Sequence, residues 1–154
     1  MVGPLRKALG GFTHLLVGID KFTKWIEAKP ITIIDSKEAV KFLDIVYRFG
    51  VPNSIITDNG TNFTSHYFQE FAEGYGNRIN WASVGHPRTN RQVERANGLI
   101  LQGLKPRIFD MLKKFAGRWV EELLAVLWSL RTTPNRSTGL KPRIFDMLKK
   151  FAGC

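Results

Sequence analysis

Two carboxylates sit where side-chain chemistry is most readily built. Asp58 closes the apolar run of IITDNGTNF, residues 55–63, directly before the turn-forming pair Asn59 and Gly60. Glu94 lies in HPRTNRQVERANG, residues 86–98, where a stretch with helical spacing begins. Residues 59 to 93, 35 in all, separate them. Taken singly, an Asp before Asn-Gly is a turn residue and a helical Glu is a solvated one. A carboxylate oxygen is a hard donor of the kind that divalent cations such as Mg²⁺ select.

The elements that must position them follow from local pattern. FTHLLVGI (12–19) is rich in β-branched and aromatic residues, and TKWIEA (23–28) follows after a polar break at 20–22, which predicts a hairpin. Ala39, Val40, Leu43, Val46 and Tyr47 recur at three- and four-residue spacing between a cap at Asp35 or Ser36 and a stop at Gly50. That spacing predicts a helix, closed off by Pro52. Ser54 to Thr57 is a short strand, Phe63 to Glu73 a helix, and Arg78 to Ser83 a further strand. A loop carrying His86 and Pro87 leads to a long helix from about Gln92. Alternating strands and helices make an α/β sheet domain, with Asp58 at the end of a strand and Glu94 on the first turn of a helix.

The chain has 154 residues, about one domain, and 44% of them are apolar, enough for a single core. Lys and Arg outnumber Asp and Glu by 23 to 13, giving a net charge of +10 and a pI near 10.1. Such a balance attracts polyanions, so nucleic acid is the leading partner class beside a merely solvated basic surface. One cysteine, Cys154, excludes an internal disulfide framework and supplies no paired thiols for zinc; His14, His66 and His86 have no cysteine at ligand spacing. No apolar run reaches the roughly 18 to 20 residues that span a bilayer, so no membrane role is expected.

Gly103 to Gly117 and Gly139 to Gly153 share one sequence, GLKPRIFDMLKKFAG. Solenoid repeats diverge and need about three units to bury a core, so identity points to a duplication or a join. Each copy carries Ile, Phe and Leu on one face (Ile108, Phe109, Leu112 and Phe115 in the first) and Lys and Arg on the other, a basic amphipathic helix. The domain division expected is 2–139 for the α/β unit and 140–154 for a tail that copies 104–117.

The two carboxylate strings, their 35-residue spacing, and the flanking segments VGPLRKALGGFTHLLVGIDKFTKW and RWVEELLAVLWSLRTTPNRSTG together resemble the integrase catalytic core of retroviruses and retrotransposons, in particular the gypsy-type group. The resemblance implies an RNase H-like fold, a mixed sheet flanked by helices, and Mg²⁺- or Mn²⁺-dependent polynucleotidyl transfer on DNA. It makes Asp58 the second and Glu94 the third metal-binding carboxylate of the catalytic triad. Asn59, Gln92, Arg95 and Asn97 become DNA-facing, with basic side chains on phosphates. Two cations about 3.5 to 4 Å apart stabilise both the attacking and the leaving oxygen of an in-line displacement.

The sequence departs from that family in several places. Its first catalytic Asp should stand just before VGPL, where Met1 stands, leaving the central strand half represented. Asp20 falls at the end of the next strand and reads as a hairpin-turn residue. Arg91 replaces a loop glycine, Pro106 should break the helix that carries Glu94, and the family's zinc-binding and carboxyl-terminal modules are not recognised here. The expectation is an integrase remnant, catalytically inactive, with sequence-blind nucleic-acid binding and a nuclear or cytoplasmic location. The alternative is a domesticated fragment, regulatory or harmful, acting through a protein partner or homodimer. Its basic, acid-free first nineteen residues leave a mitochondrial address open as a variant.

Overall fold

Alternation along one strand organises the fold. In the computed structural model, which describes residues 1–58, 60–81, 91–109 and 117–142, β1 (His14–Ile19) pairs antiparallel with β2 (Ile26–Ile31), His14 facing Ile31 and Ile19 facing Ile26. Successive side chains of a strand point to opposite faces. Leu15, fully buried, therefore enters one core cluster and Leu16, 2% exposed, another. The hairpin turn is fixed by Asp20, whose carboxylate accepts the Phe22 and Thr23 amides at 2.7 and 3.3 Å, as expected of a turn residue. Val2 bridges Leu15 on the free edge of β1.

α1 (Ser36–Tyr47) starts where its sequence says it should: the Asp35 side chain accepts the Lys37 amide, capping the first turn. It buries Ala39, Val40, Phe42 and Leu43, placing Phe42 against Leu16 and Ile31. β3 (Ser54–Thr57) pairs in parallel with β4 (Arg78–Trp81), so among the described residues the strands form two two-stranded ladders, one antiparallel and one parallel. The helix expected over 63–73 is two helices, α2 (Thr61–Thr64) and α3 (His66–Gly74). Between them Ser65 is extended, and its hydroxyl accepts the Phe68 amide, a cap strong enough to restart the helix. Ala39, Val40, Leu43, Phe68 and Ala72 form the second core, edged by Ile55 and Ile79 of β3 and β4.

The remaining helices cover the other face of β1. α4 (Arg91–Phe109) and α5 (Trp119–Thr132) contribute Ala96, Ile100, Leu104, Trp119, Leu123, Val126 and Leu127 to the cluster around Leu15. Gly103 allows their close approach, since a methyl there would meet Val126 Cγ1 at 2.6 Å. The buried Trp119 donates its indole N–H to the Arg6 carbonyl at 2.7 Å. At the far end of α5, Arg131 donates to the Ile26 carbonyl at 2.6 Å and Glu27 at 3.0 Å, and stacks on Trp25.

Contrary to expectation, Pro106 does not break α4, which runs on to Phe109. Proline removes one bond, to the carbonyl four residues back, at about 3 kcal/mol in a helix interior. Burial of Ala96, Ile100 and Leu104 upstream offsets that loss, each large aliphatic side chain contributing about 1.5 to 3 kcal/mol. The expected strand beyond Trp81, most of the amphipathic stripe of the first copy, and the duplicated tail past Pro142 fall outside the described residues.

Lys29 of β2 bridges Glu38 of α1 at 3.1 Å, and Lys41 meets the same carboxylate at 2.7 Å. The Lys41 hydrogen bond first, then Lys29, hold the Glu38 carboxyl below its ordinary range against the opposing effect of burial. A depressed folded-state pKa contributes stability above the unfolded value and loses it as pH falls through the folded one. Glu38→Gln should therefore lower the melting temperature modestly at pH 7, and the gap to wild type should close as pH drops below 4.5, as read by thermal unfolding from pH 7 to pH 3.

Candidate metal and nucleic-acid site

Asp58 follows directly on β3, at its carboxyl end, and is exposed. Its Oδ1 accepts the Gly60 amide at 3.0 Å, an Asx turn that points the chain out of the sheet and into α2. Gly60 has an ordinary extended φ of −61°, so conformational freedom is not why glycine stands there. Space is the reason. A methyl group at Gly60 would lie 2.9 Å from Asp58 Oδ1 and 2.9 Å from Asn62 Oδ1, so those two oxygens converge over its Cα.

Asn62 is 3% exposed, yet neither Oδ1 nor Nδ2 has a hydrogen-bond partner. Thr57, the last residue of β3, buries an equally unpartnered hydroxyl. A buried polar group left unpaired costs about 1 to 3 kcal/mol. The Met1 ammonium is near enough to Asp58 to feel its charge, while burial, the larger effect, pulls its pKa below the ordinary value.

Glu94 occupies the first turn of α4 and is exposed, as is Arg95. Gln92 is half-buried and its Oε1 accepts from Lys24 Nζ at 3.0 Å. Lys24 sits in the β1–β2 turn with a left-handed φ of 63°, and its ammonium also reaches the Lys21 carbonyl. The hairpin tip is thereby tied to the start of α4. Asn97, three residues beyond Glu94, half-buries its side chain with an unpartnered Oδ1. Arg91, expected in the loop, is the first residue of α4.

Asn59 and His86 fall outside the described residues. His14 meets the Thr13 hydroxyl at 2.9 Å and His66 pairs with Glu70 on its own helix, both ordinary structural roles. Among the described residues, no group of three His, Cys, Asp or Glu side chains is gathered as a metal site, and neither Asp58 nor Glu94 is in an ion pair. Sequence reasoning missed Asn62 and Lys24. The first is signalled by Asn within DNGTNF just before buried aromatics; the long-range tie of the second has no local signal.

The family described as Integrase core domain matches residues 2–87. The Gag-Pol polyprotein of avian reticuloendotheliosis virus is 36% identical over 133 residues, covering 84% of this chain and 11% of that one. The Gag-Pol polyprotein of walleye dermal sarcoma virus is 36% identical over 126 residues, covering 80% and 7%. The chain therefore spans about a tenth of the length of these curated relatives. Among solved structures, the HTLV-2 integrase catalytic core domain, in complex with magnesium and in trimeric form, superposes with a TM-score of 0.68 at 25% identity, over 86% of this chain and 82% of that one. The catalytic core domain of BIV integrase gives 0.69 at 18% identity, over 90% and 88%, a likeness of fold alone.

The convergence over Gly60 has a direct consequence. Gly60→Ala should push Asp58 and Asn62 apart and cost about 1 to 3 kcal/mol, the usual penalty of overpacking. Urea unfolding should report it; an unchanged midpoint would mean that the turn relaxes freely.

Proposed function

We propose, from the premise that this chain belongs to the integrase core domain family, that Asp58 and Glu94 hold Mg²⁺ or Mn²⁺ beside a DNA phosphodiester, and that the chain binds DNA without joining strands. Descent from a polynucleotidyl transferase of the retroviral type comes with the family. The finer gypsy-type affinity belongs to the proposal and rests on the HPRTNRQVERANG wording.

One observation carries it. The buried side-chain atoms that lack a partner among the described residues belong to Thr57, Asn62 and Asn97, each within four positions of Asp58 or Glu94. Among the described residues, core packing elsewhere leaves no such atoms, and a polar ligand met beside these carboxylates would have unpaired groups to satisfy.

The donors suit a hard dication. Mg²⁺ is usually held by one or two carboxylates and completes its shell with water and substrate phosphate oxygens. Asp58 and Glu94 are exposed, and the cradle over Gly60 and the unpartnered amides offer polar surroundings. Bound there, the cation would supply charge stabilisation to the displaced and attacking oxygens. The chain's own residues do the rest. Arg91 and Arg95 face solvent at the start of α4, where guanidinium groups neutralise phosphates and set register without reading sequence. Gln92, held by Lys24, precedes Glu94 by two residues and Asn97 follows it by one turn, and both would contact the backbone of the strand.

A second reading keeps one observation of its own. Leu124 and Trp128, one turn apart on α5, are 75% and 71% exposed, which favours self-association of a domesticated fragment through that helix. Trp128→Ala would then lower the sedimentation coefficient at micromolar concentration, with DNA binding intact.

Thermal unfolding tests the main reading. Millimolar Mn²⁺ should raise the melting temperature of the wild type, because a ligand bound only to the native state stabilises it, by about 2.7 kcal/mol at 100 times its Kd. Asp58→Asn should abolish the rise. DNA affinity should fall with salt, and strand-transfer product should be absent from wild type and Asp58→Asn alike. A melting temperature indifferent to metal would overturn the cation site, and strand transfer lost in Asp58→Asn would overturn the inactivity.

A further inference from the structure

Lys24 occupies backbone that suits glycine better. Among the described residues it is the non-glycine residue with a left-handed φ, 63°. That region is strained for a residue with a Cβ and is visited mainly by Gly, Asn and Asp. The turn itself is closed by backbone bonds: the Lys24 amide donates to the Asp20 carbonyl at 2.9 Å, and the Asp20 amide donates to the Trp25 carbonyl at 2.9 Å. The Asp20 carboxylate adds its bonds from the Phe22 and Thr23 amides. Glycine at position 24 could make the same backbone bonds without strain, so closure of the turn does not account for the lysine side chain.

That side chain reaches out of the hairpin. Its ammonium donates to the Lys21 carbonyl and then to Gln92 Oε1, 3.0 Å away and 68 residues on. The turn of α4 that carries Gln92 and Glu94 precedes Ala96, the first buried residue of the helix. Packing therefore holds it less firmly than the turns that follow. The bond to Lys24 also decides how the Gln92 amide is turned. An ammonium donates and cannot accept, so the carbonyl end of the amide must face it and the NH₂ end must face away. Among the described residues no hydrogen bond engages Nε2, and it is not one of the buried unpartnered atoms. Two N–H donors are thus left beside Glu94, with Arg91 and Arg95 exposed at the same end of the helix. Phosphate oxygens accept hydrogen bonds and never donate them. A glutamine free to rotate about its last torsion would present its oxygen there as readily as its nitrogen.

We infer that Lys24 is a positioning residue, fixing the Gln92 amide from the hairpin tip so that its N–H donors face a phosphate of bound nucleic acid. The inference rests on the proposal that the chain binds DNA, and it adds a residue that acts through another rather than on the strand itself. In this Lys24 differs from Arg91 and Arg95, which act by charge. A cation that contacts phosphate releases a counterion and so contributes to the salt dependence of binding; a residue that only orients an uncharged amide does not.

The test uses the full chain and a fluorescently tagged duplex DNA of arbitrary sequence. Affinity is read by anisotropy between about 50 and 200 mM salt for wild type, Lys24→Gly, Lys24→Arg, Gln92→Ala and the variant carrying both Lys24→Gly and Gln92→Ala. Lys24→Gly relieves the left-handed backbone, so it should melt no lower than wild type and yet bind DNA about tenfold more weakly. Its plot of log affinity against log salt should keep the wild-type slope. Lys24→Arg, which also donates without accepting, should hold affinity near wild type. In the Gln92→Ala background, loss of Lys24 should cost little more, because the amide it orients is gone. Lys24→Asn, also tolerant of left-handed backbone and too short to reach Gln92, replaces the glycine variant if that one does not fold. A slope reduced by about 0.9 in Lys24→Gly would mean that the ammonium meets a phosphate itself, which would overturn the inference. Additive losses in the double variant, or wild-type affinity in Lys24→Gly, would overturn it too, with DNA binding by the chain left standing. Absence of DNA binding by the wild type would overturn both this inference and the reading beneath it.

Discussion

The two-sided burial of β1 is the constraint on which the rest of the fold depends. Leu15 and Leu16 are neighbours in sequence and lie on opposite faces, one against α4 and α5, the other against α1. A strand covered on both faces cannot slip by one residue without exchanging its two cores, so register is set by packing. Everything that positions the carboxylates hangs from this. α4, which carries Glu94, is seated by Ala96, Ile100 and Leu104 on the Leu15 side. α1, on the Leu16 side, seats α3 through Ala39, Val40 and Leu43 against Phe68 and Ala72, with Ile55 of the Asp58-bearing strand at the margin.

Asp58 and Glu94 therefore belong to different packing units. Each unit has its own apolar cluster and its own ladder, and among the described residues Lys24 to Gln92 is the polar tie that draws the hairpin tip to the start of α4. Among the described residues neither carboxylate is in an ion pair, and both face solvent, where an anion costs little to leave unpartnered. The expense lies instead in the side chains around them. Thr57, Asn62 and Asn97 each withhold a buried polar atom from any partner, at about 1 to 3 kcal/mol apiece. Folds that are otherwise internally consistent tend to break the rule of polar pairing at functional positions, and here the breaks lie within four residues of Asp58 or Glu94.

Much of this was legible in the sequence, for local reasons. β3 is Ser54–Thr57 as its apolar run before Asp58-Asn-Gly implies, and α1 begins after Asp35 because that side chain caps it. Asp20 is a turn residue because its carboxylate sits two and three residues ahead of amides it can accept. The misses have different causes, some of them packing and some a local hydrogen bond that competes with the helical pattern. Pro106 reads as a helix breaker until the buried face of Ala96, Ile100 and Leu104 is weighed against one lost hydrogen bond. Ser65 reads as one more helical residue until its hydroxyl is seen to start a new helix. Asn62 has a weak local cue in the aromatic that follows it, but its 3% exposure is a property of the packed fold. For the site, sequence spacing selected Asp58 and Glu94, whereas the unpaired groups around them required three dimensions.

The separation of the carboxylates bears on how binding and folding are linked. On the proposed reading, a dication held by Asp58 and Glu94 would connect two clusters that the chain otherwise joins through β1, α1 and a loop. Its binding free energy would then act on the arrangement of the two units as well as on the site itself, because a ligand that requires both in place stabilises the state in which they are together. The net charge of +10 works in the same direction for a polyanion: phosphates neutralise repulsion among lysines and arginines that compaction brings closer. Cation and nucleic acid would thus favour one compact state from different sides, the first through two carboxylates on separate cores and the second through the basic surface around them. Coupling of that kind follows from where the charges are placed, and it needs no movement of either core to operate.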